Sequence, residues 1–215
     1  MKWLKVISGL MKELWQTKNN SLLVVLLSCW VSEGGIQQVN RSLLKLFTKF
    51  DDCDVSVLVL LDQQANIEAA ILQYPNMKNL VIRGFSGNKI KFALAYINKL
   101  LHKRYSSIWF DHINLAPFMI IANIIRIKYS MMVYGIEVLK PLSSIKKLAL
   151  FKAKKVLSIS NHTMTMAQNW SNVFKKAEVC PLGIDLQKQG YLTFYNYYDR
   201  HKKFKNCSLR TRFIK

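Results

Sequence analysis

The stretch SLLVVLLSCWVSEGGIQQVNRSLLKLFTKF, residues 21–50, decides the fold. It opens with apolar, partly β-branched residues from Leu22 to Leu27, the pattern of a strand buried on both faces of a parallel sheet. A turn containing Gly34 and Gly35 follows, and apolar residues then recur near the 3.6-residue period of a helix. The stretch therefore predicts strand, turn and helix, which is the first half of a βαβ unit.

The Gly34–Gly35 turn is the first candidate binding site. Adjacent glycines let backbone N–H groups at a helix start approach a ligand without a Cβ in the way, and an anion gains roughly 0.3–2 kcal/mol there. The alternative interpretation is that the pair only permits a tight turn, since the full GxGxxG fingerprint is absent from the sequence. Five polar side chains of the predicted helix are expected on its solvent side: Gln37, Gln38, Asn40, Arg41 and Lys45.

The charge of the chain points to an anionic partner. The 215 residues include 32 Lys and Arg against 12 Asp and Glu, a formal charge of +20. Nucleic acid, an anionic membrane and phosphorylated ligands are the candidate partners. No zinc-finger, RNA-recognition or helix-turn-helix pattern is found, so specific nucleic-acid binding is not predicted.

The cysteines indicate a reducing compartment. Cys29, Cys53, Cys180 and Cys207 lie far apart, without a CxxC pair or a preceding secretory signal. Neither a zinc site nor a disulfide framework is expected. No apolar run approaches the 18 to 20 residues of a membrane-spanning helix. The expected location is the cytoplasm, with peripheral attachment to the inner face of the membrane as a further expectation.

The rest of the chain alternates between strands and helices. Further strands are predicted over residues 54–61, 79–85, 107–110, 129–134, 156–159 and, ending in a turn, 177–185. Helices are predicted over residues 67–74, about 89–103 and a segment with Pro117 in its first turn. Two more are predicted, one from Ser143 or Ser144 to about Lys152, and one that Ser160 or Asn161 caps and that runs to about Trp170. The apolar stripe of the 89–103 helix is Ile90, Ala93, Leu94, Ile97 and Leu101. This alternation predicts a doubly wound, parallel, Rossmann-like α/β sheet over residues 21–185.

Two terminal segments lie outside that domain. Residues 1–20 have the pattern of a basic amphipathic helix, which either lies in a membrane interface or packs on the domain. Residues 186–215 form a basic, tyrosine-rich tail without strand–helix alternation. It is either a truncated remnant of an interdomain region or a basic, aromatic segment that binds membrane or nucleic acid.

The carboxyl end of the predicted fourth strand delivers Asp111, His112 and Asn114. Ligands of open α/β sheets gather at such strand ends, so position favours a functional role. The alternatives are a hydrogen-bonded structural role for His112 and a helix N-cap role for Asn114. Tyr134, Gly135 and Glu137 stand at the end of the fifth strand. The loop over residues 83–89 is either a second anion site or a solvated basic turn.

Four spaced pieces resemble the N-terminal domain of family 4 glycosyltransferases, which are retaining enzymes of the GT-B architecture. They are SEGGIQQVNRSLLKLF at 32–47, HINLAP at 112–117, YGIEVLKPLSSIKKLALFKAKKVLSISNHT at 134–163 and VCPLGID at 179–185. The pieces stand in the family order and span one GT-B half.

This resemblance implies sugar transfer from a nucleotide-sugar to a glycan or lipid-linked acceptor, without a metal or cofactor. It places Gly34 and Gly35 at the donor diphosphate, and it places Asp111, His112, Asn114, Gly135 and Glu137 on the acceptor or sugar side. Many members carry a histidine where this chain has Tyr134. A phenol there either orients a sugar hydroxyl without carrying charge, or marks a decayed site.

The family's second domain, which holds most donor contacts, is not recognised in residues 186–215. The sequence therefore predicts an acceptor-side half that is inactive alone, either truncated or working with a separately encoded donor domain. The alternative is a non-enzymatic, basic, membrane-associated or sugar-binding partner protein.

Overall fold

The structure is a computed structural model that describes residues 21–48, 53–73, 77, 80–138, 140–170, 172 and 177–180. The predicted helix over residues 1–20 and the predicted tail over residues 186–215 lie outside the described residues.

The described strands form one seven-stranded sheet, and every neighbouring pair in it is parallel. The strands are β1 Ser21–Leu26, β2 Asp54–Val59, β3 Val81–Gly84, β4 Ser107–Phe110, β5 Tyr129–Val133, β6 Lys155–Ser158 and β7 Ala177–Val179. Their order is β3-β2-β1-β4-β5-β6-β7, which confirms the predicted doubly wound fold. The chain winds outward from β1 to β3 and then returns to β4 beside β1. The sheet order therefore reverses between β1 and β4, where open α/β sheets bind ligands.

Helices connect the strands across both faces of the sheet. They are α1 Gly35–Phe47, α2 Gln64–Gln73, α3 Lys89–His102, α4 Ala116–Ile124, α5 Ser144–Lys152 and α6 Asn161–Trp170. Short 3-10 turns follow β4 over Ile113–Leu115 and β5 over Gly135–Val138. Helix α2 begins three residues before the predicted start. The prediction missed residues 64–66 because they are exposed and carry no apolar pattern. None of the helices in the described part of the chain has the length and hydrophobicity that crossing a bilayer requires.

The sheet separates two apolar clusters. Helices α3, α4 and α5 bury side chains such as Tyr96, Met119 and Leu150 on one face. Helices α1 and α2 bury side chains such as Leu43 and Ile67 on the other face. Strand β1 lies between the two clusters with all of its residues buried, as its continuous apolar sequence predicts.

Two predicted helix faces are wrong. Asn40 was expected in solvent, but it is fully buried because Ile36, Asn40, Leu43 and Phe47 share the i, i+4, i+7, i+11 positions of the inner side of α1. The second wrong prediction concerns the apolar stripe of α3.

In α3 that stripe faces away from the sheet: Ile90 is 75% exposed and Leu94 is 63% exposed. The buried side instead carries Phe92, Ala95 and Tyr96. Helix α3 is apolar around most of its circumference, and the face that it buries carries the two aromatic rings, which pack against Phe85, Phe110 and Phe118.

Candidate functional site at the carboxyl edge of the sheet

Gly34 and Gly35 are exposed at the start of α1, beside the carboxyl end of β1. Gly34 is the N-cap residue, and no side chain caps this helix start. Its backbone is extended at φ −159°, so conformation alone does not require glycine. The missing Cβ instead leaves room for Gln37, whose Nε2 donates a hydrogen bond to Ser28 Oγ at 2.8 Å. The first N–H groups of α1 are therefore accessible to an anionic ligand.

The loop between β1 and α1 is held by Asp62, a fully buried residue just after β2. Its carboxylate accepts hydrogen bonds from the backbone N–H groups of Cys29, Trp30 and Val31, the shortest being 2.7 Å from Trp30. Three successive N–H groups that converge on one carboxylate form an anion-binding nest that the protein fills itself. The loop is thus fixed by its own anion, and any ligand contact falls further along, at Gly34 and Gly35.

Asp111 ties β4 to β1 and α1. Its Oδ1 accepts from the Leu27 N–H at 2.9 Å, and its Oδ2 accepts from Asn40 Nδ2 at 2.6 Å. Asn40 also donates to the Ser28 carbonyl at 2.8 Å. Burial raises the pKa of Asp111 to about 7, against the opposing effect of these hydrogen bonds. With both oxygens engaged and no exposure, Asp111 positions the strand ends rather than contacting a ligand.

His112 and Glu137 form a pair that links the ends of β4 and β5. His112 Nδ1 lies 2.8 Å from Glu137 Oε1. The carboxylate also accepts from the Ile113 N–H at 3.0 Å and the Tyr134 N–H at 2.7 Å, so it is fixed at both oxygens. A carboxylate only accepts hydrogen bonds, so the proton in the contact with His112 is assigned to Nδ1.

That assignment decides the role of the imidazole. The Asn114 N–H lies 3.1 Å from the same Nδ1, but it cannot donate to a nitrogen that already carries a proton. Glu137 thereby fixes the ring orientation and leaves Nε2 as the nitrogen not engaged by the pair. The His112 side chain is 10% exposed, whereas that of Glu137 is 1% exposed. His112 is thus the member of the pair that meets solvent.

Asn114, Gly135 and Tyr134 are the remaining predicted residues. Asn114 is exposed and its Oδ1 accepts from Lys146 Nζ at 2.6 Å, so it brings a cation to this edge. It does not fill the N-cap role of the alternative interpretation, since His112 and Leu115 are the N-cap residues here. Gly135 is partly exposed, and a Cβ there would lie 3.3 Å from Thr163 Oγ1. Asn114 and Gly135 accordingly lie at the rim of the site.

Tyr134 lies beneath the site. Tyr134 is 3% exposed, and its hydroxyl is buried with no hydrogen-bond partner among the described residues. Burial raises the pKa of the phenol well above its usual value, and Asp111 and Glu137 raise it further. The interpretation in which Tyr134 orients a sugar hydroxyl would require the ring to leave the core.

Two further observations concern the described chain outside the strand-order reversal. A cavity of 740 Å³ beside β3 is lined partly by Arg83, Ser86 and Lys91, so it lies next to the 83–89 loop and not at the strand-order reversal. No group of three or more His, Cys, Asp or Glu side chains that could hold a metal occurs among the described residues.

Sequence reasoning missed two residues of this site, Asn40 and Asp62. Both are buried polar side chains that bind the backbone of the β1–α1 loop. The available signals were the position of Asn40 on the apolar side of α1 and that of Asp62 at the carboxyl end of β2.

Comparison with known proteins gives a structural likeness only. No protein-family model matches the chain, and no curated protein matches it. Among solved structures it is similar to Phytolacca americana UGT2, determined in complex with UDP-2fluoro-glucose and pterostilbene. The TM-score is 0.51 at 10% sequence identity, over 84% of this chain and 58% of that one. The chain thus spans less than two thirds of that structure.

The class of fold follows from this likeness and from the sheet order. The chain has a Rossmann-like α/β fold that matches one GT-B half-domain.

Proposed function

We propose that this chain is the acceptor-side half of a glycosyltransferase of subfamily 4. The GT-B half-fold supports the general assignment. The single observation that carries the rest is the site where the sheet order reverses. There an uncapped helix start at Gly34 and Gly35 lies at the same edge of the sheet as a histidine oriented by a buried glutamate, His112 with Glu137. Asn40 lies about 8 Å along α1 from Gly35, by helical rise, and contacts Asp111 directly before His112.

In the proposed reaction a nucleotide-sugar donates its sugar with retention of configuration and without a metal. The acceptor hydroxyl attacks the face from which the nucleoside diphosphate leaves. The N–H groups of Gly34 and Gly35 stabilise the phosphate charge that develops. The donor places its diphosphate at these amides because Asp62 already fills the nest of the preceding loop.

His112 is proposed to orient a hydroxyl of the acceptor or of the transferred sugar through Nε2. Glu137 holds the ring by Nδ1, so the imidazole needs little reorganisation when the ligand binds. Lys146, held by Asn114, adds positive charge at the same rim. Catalysis by positioning requires donor and acceptor to be held together. We therefore expect no transfer by the 215-residue chain alone, and transfer only with a donor-side domain, encoded separately or in a longer product.

The test uses one backbone N–H group. Proline at the first helical position is well tolerated, and the extended Gly34 suits a following proline. Gly35→Pro therefore removes an N–H group at little cost to the fold, whereas Gly35→Ala keeps it. Uniformly ¹⁵N-labelled full-length chain is titrated with UDP-glucose and followed by amide chemical shifts.

We expect the shifts of the wild type to concentrate at Gly34, Gly35 and Ile36. Loss of a hydrogen bond to a charged phosphate should weaken binding about tenfold or more in Gly35→Pro, but little in Gly35→Ala. Equal affinities of the two variants, or shifts centred on the 83–89 loop, would contradict the proposed donor site. Sugar transfer or donor hydrolysis by the purified chain would contradict the proposed inactivity.

The alternative, a non-enzymatic sugar-binding or membrane-associated partner, predicts no role for His112 in turnover. It is separated from the transferase by mixing the chain with a donor domain of the same architecture. Transfer that depends on His112 supports the enzyme, and binding without transfer supports the partner protein.

A further inference from the structure

Helices α3 and α4 carry an unusually apolar outer surface. We define the α3–α4 face by its exposed aliphatic side chains: Ile90, Leu94, Ile97, Leu101, Ile124 and Ile125. The four residues of α3 recur at i, i+4, i+7 and i+11, so they form one stripe along the helix. Leu101 is 78% exposed and Ile124 is 70% exposed. Aliphatic side chains that project this far, in one row, mark an interaction surface.

The two helices form one surface because they pack directly on each other. The rings of Phe92 and Phe118 meet edge to face at 5.0 Å, and Tyr96 donates its hydroxyl to the Phe118 carbonyl at 2.9 Å. A groove of 360 Å³ runs between their carboxyl ends, and Leu101, Arg104 and Ile125 are among the residues that line it. The apolar stripe of α3 therefore continues across this groove onto the end of α4.

The charge around this face has one sign. Between residues 89 and 128 the only acidic residue is Asp111, which is fully buried. The exposed cations of the same segment are Lys89, Lys91, Arg104, Arg126 and Lys128. One exposed carboxylate from outside this segment, Asp54, lies near the end of α3, where it is paired with Lys103. An aliphatic surface rimmed mainly by lysine and arginine complements the headgroups and acyl boundary of an anionic bilayer.

We propose that the α3–α4 face docks the protein on an anionic lipid surface. A second copy of the chain fits poorly, because it would bring two positively charged rims together. The face also lacks the exposed aromatic rings on which nucleic-acid bases stack. In the docked state the aliphatic stripe lies at the acyl boundary and the cations contact the headgroups. This inference goes beyond the glycosyltransferase proposal and does not depend on it.

The chain offers a matched control for the test. Leu72 on α2 is 79% exposed, against 78% for Leu101, and α2 lies on the opposite face of the sheet. Leu101→Glu and Leu72→Glu therefore change the charge and the exposed apolar area equally, at two different surfaces. Neither side chain is buried, so neither change is expected to unfold the domain. Leu14→Glu alters the amphipathic segment over residues 1–20.

The assay is flotation of the full-length variants with vesicles of phosphatidylcholine alone or with 30 mol% phosphatidylglycerol, the probe for an anionic headgroup. We expect the wild type to float only with the anionic vesicles. Leu94→Glu and Leu101→Glu should each lower the partition coefficient about tenfold, and Leu72→Glu should leave it within about twofold.

Three outcomes would overturn the proposal. One is equal partition of Leu101→Glu and Leu72→Glu. Another is loss of flotation only in Leu14→Glu, which would assign binding to residues 1–20. The third is a dimer in size-exclusion chromatography that Leu101→Glu abolishes, which would assign the face to a second copy. Because flotation needs no turnover, its failure is distinguishable from failure of the transferase proposal.

Discussion

Replacing Asp62 by Asn tests the arrangement on which the site depends. Asp62 accepts three backbone N–H groups of the β1–α1 loop while fully buried. Asparagine keeps the size of the side chain but removes its charge and turns one acceptor oxygen into a donor. Hydrogen bonds to a charged group contribute about 1.5–3 kcal/mol against 0.5–1.5 kcal/mol for neutral ones, and an unsatisfied buried N–H costs about 1–3 kcal/mol.

The loss follows from those values. Three bonds weakened by about 1 kcal/mol each, with one N–H left without an acceptor at a cost of about 1–3 kcal/mol, give a loss of roughly 4–6 kcal/mol before relaxation. Since domains are stable by only about 5–15 kcal/mol, we expect Asp62→Asn to lower the free energy of unfolding by about 3 kcal/mol or more. Movement of the loop should also shift the amide resonances of Gly34 and Gly35.

Urea unfolding followed by circular dichroism measures the stability. Glu68→Gln is the matched control, since it removes one carboxylate charge from an exposed position on α2, six residues further along the chain. We expect the control to lie within about 0.5 kcal/mol of the wild type. If Asp62→Asn also lies within that range and leaves the Gly34 and Gly35 resonances in place, the Asp62 carboxylate does not hold the loop.

Three further predictions concern Asp111, Gly84 and Cys29, which lie near the same edge. The folded pKa of Asp111 is about 7 and the unfolded value is about 3.9, so the wild type loses stability as the pH rises from about 4 through 7. Asp111→Asn does not titrate, so between pH 5 and pH 8 its free energy of unfolding should improve relative to the wild type by roughly 2–3 kcal/mol. Urea unfolding at the two pH values measures this difference, and an unchanged difference refutes the prediction. A Cβ at Gly84 would lie 2.6 Å from the Asp62 backbone oxygen, so Gly84→Ala should cost about 1–3 kcal/mol by thermal or urea unfolding, and a neutral effect would contradict the packing. Burial raises the pKa of the Cys29 thiol well above its usual value, so iodoacetamide at pH 7.5 should modify Cys29 only after unfolding. Peptide mass spectrometry detects the modification. Labelling of the native protein at the rate of an unfolded peptide would show that the thiol is accessible and reactive.

The five central strands were predictable because most of their residues are buried, whereas β3 and β7 at the two ends of the sheet are partly exposed. Continuous apolar runs such as Ser107–Phe110 and Tyr129–Val133 have every residue buried, so burial imposes one character on the whole run. Their alternation with helices then leaves few alternatives to a parallel sheet. The observed sheet confirms that prediction, with strand ends displaced by one or two residues in most cases.

The contacts of the site were not predictable in the same way. Asn40 binds Asp111, which is 71 residues away, and Asp62 binds backbone N–H groups some 30 residues before it. Periodicity reports which side of an element is apolar, but it does not report a hydrogen-bond partner from another part of the chain. In α1 the apolar period did contain a signal, since Asn40 occupies a core position. A polar residue there indicates a buried bond with a specific partner.

Helix α3 shows the opposite error. Its aliphatic stripe satisfies the pattern of a buried face, yet the helix buries Phe92 and Tyr96 instead. Periodicity has no means of choosing between two apolar faces of one helix. Packing against the sheet does not explain why the exposed face of α3 is aliphatic. That face is therefore a candidate interaction surface.

The carboxylates of the chain explain how one protein combines an ordered site with a strongly basic surface. The sequence has only 12 acidic residues, and three of them, Asp62, Asp111 and Glu137, have buried side chains at the carboxyl edge of the sheet. Each accepts backbone N–H groups from a strand end or from the turn that follows it. These carboxylates thus fix loops from the inside, where they are satisfied by hydrogen bonds, and do not neutralise cations on the surface. The positive potential outside remains available to anionic ligands, both at the start of α1 and along the α3–α4 face.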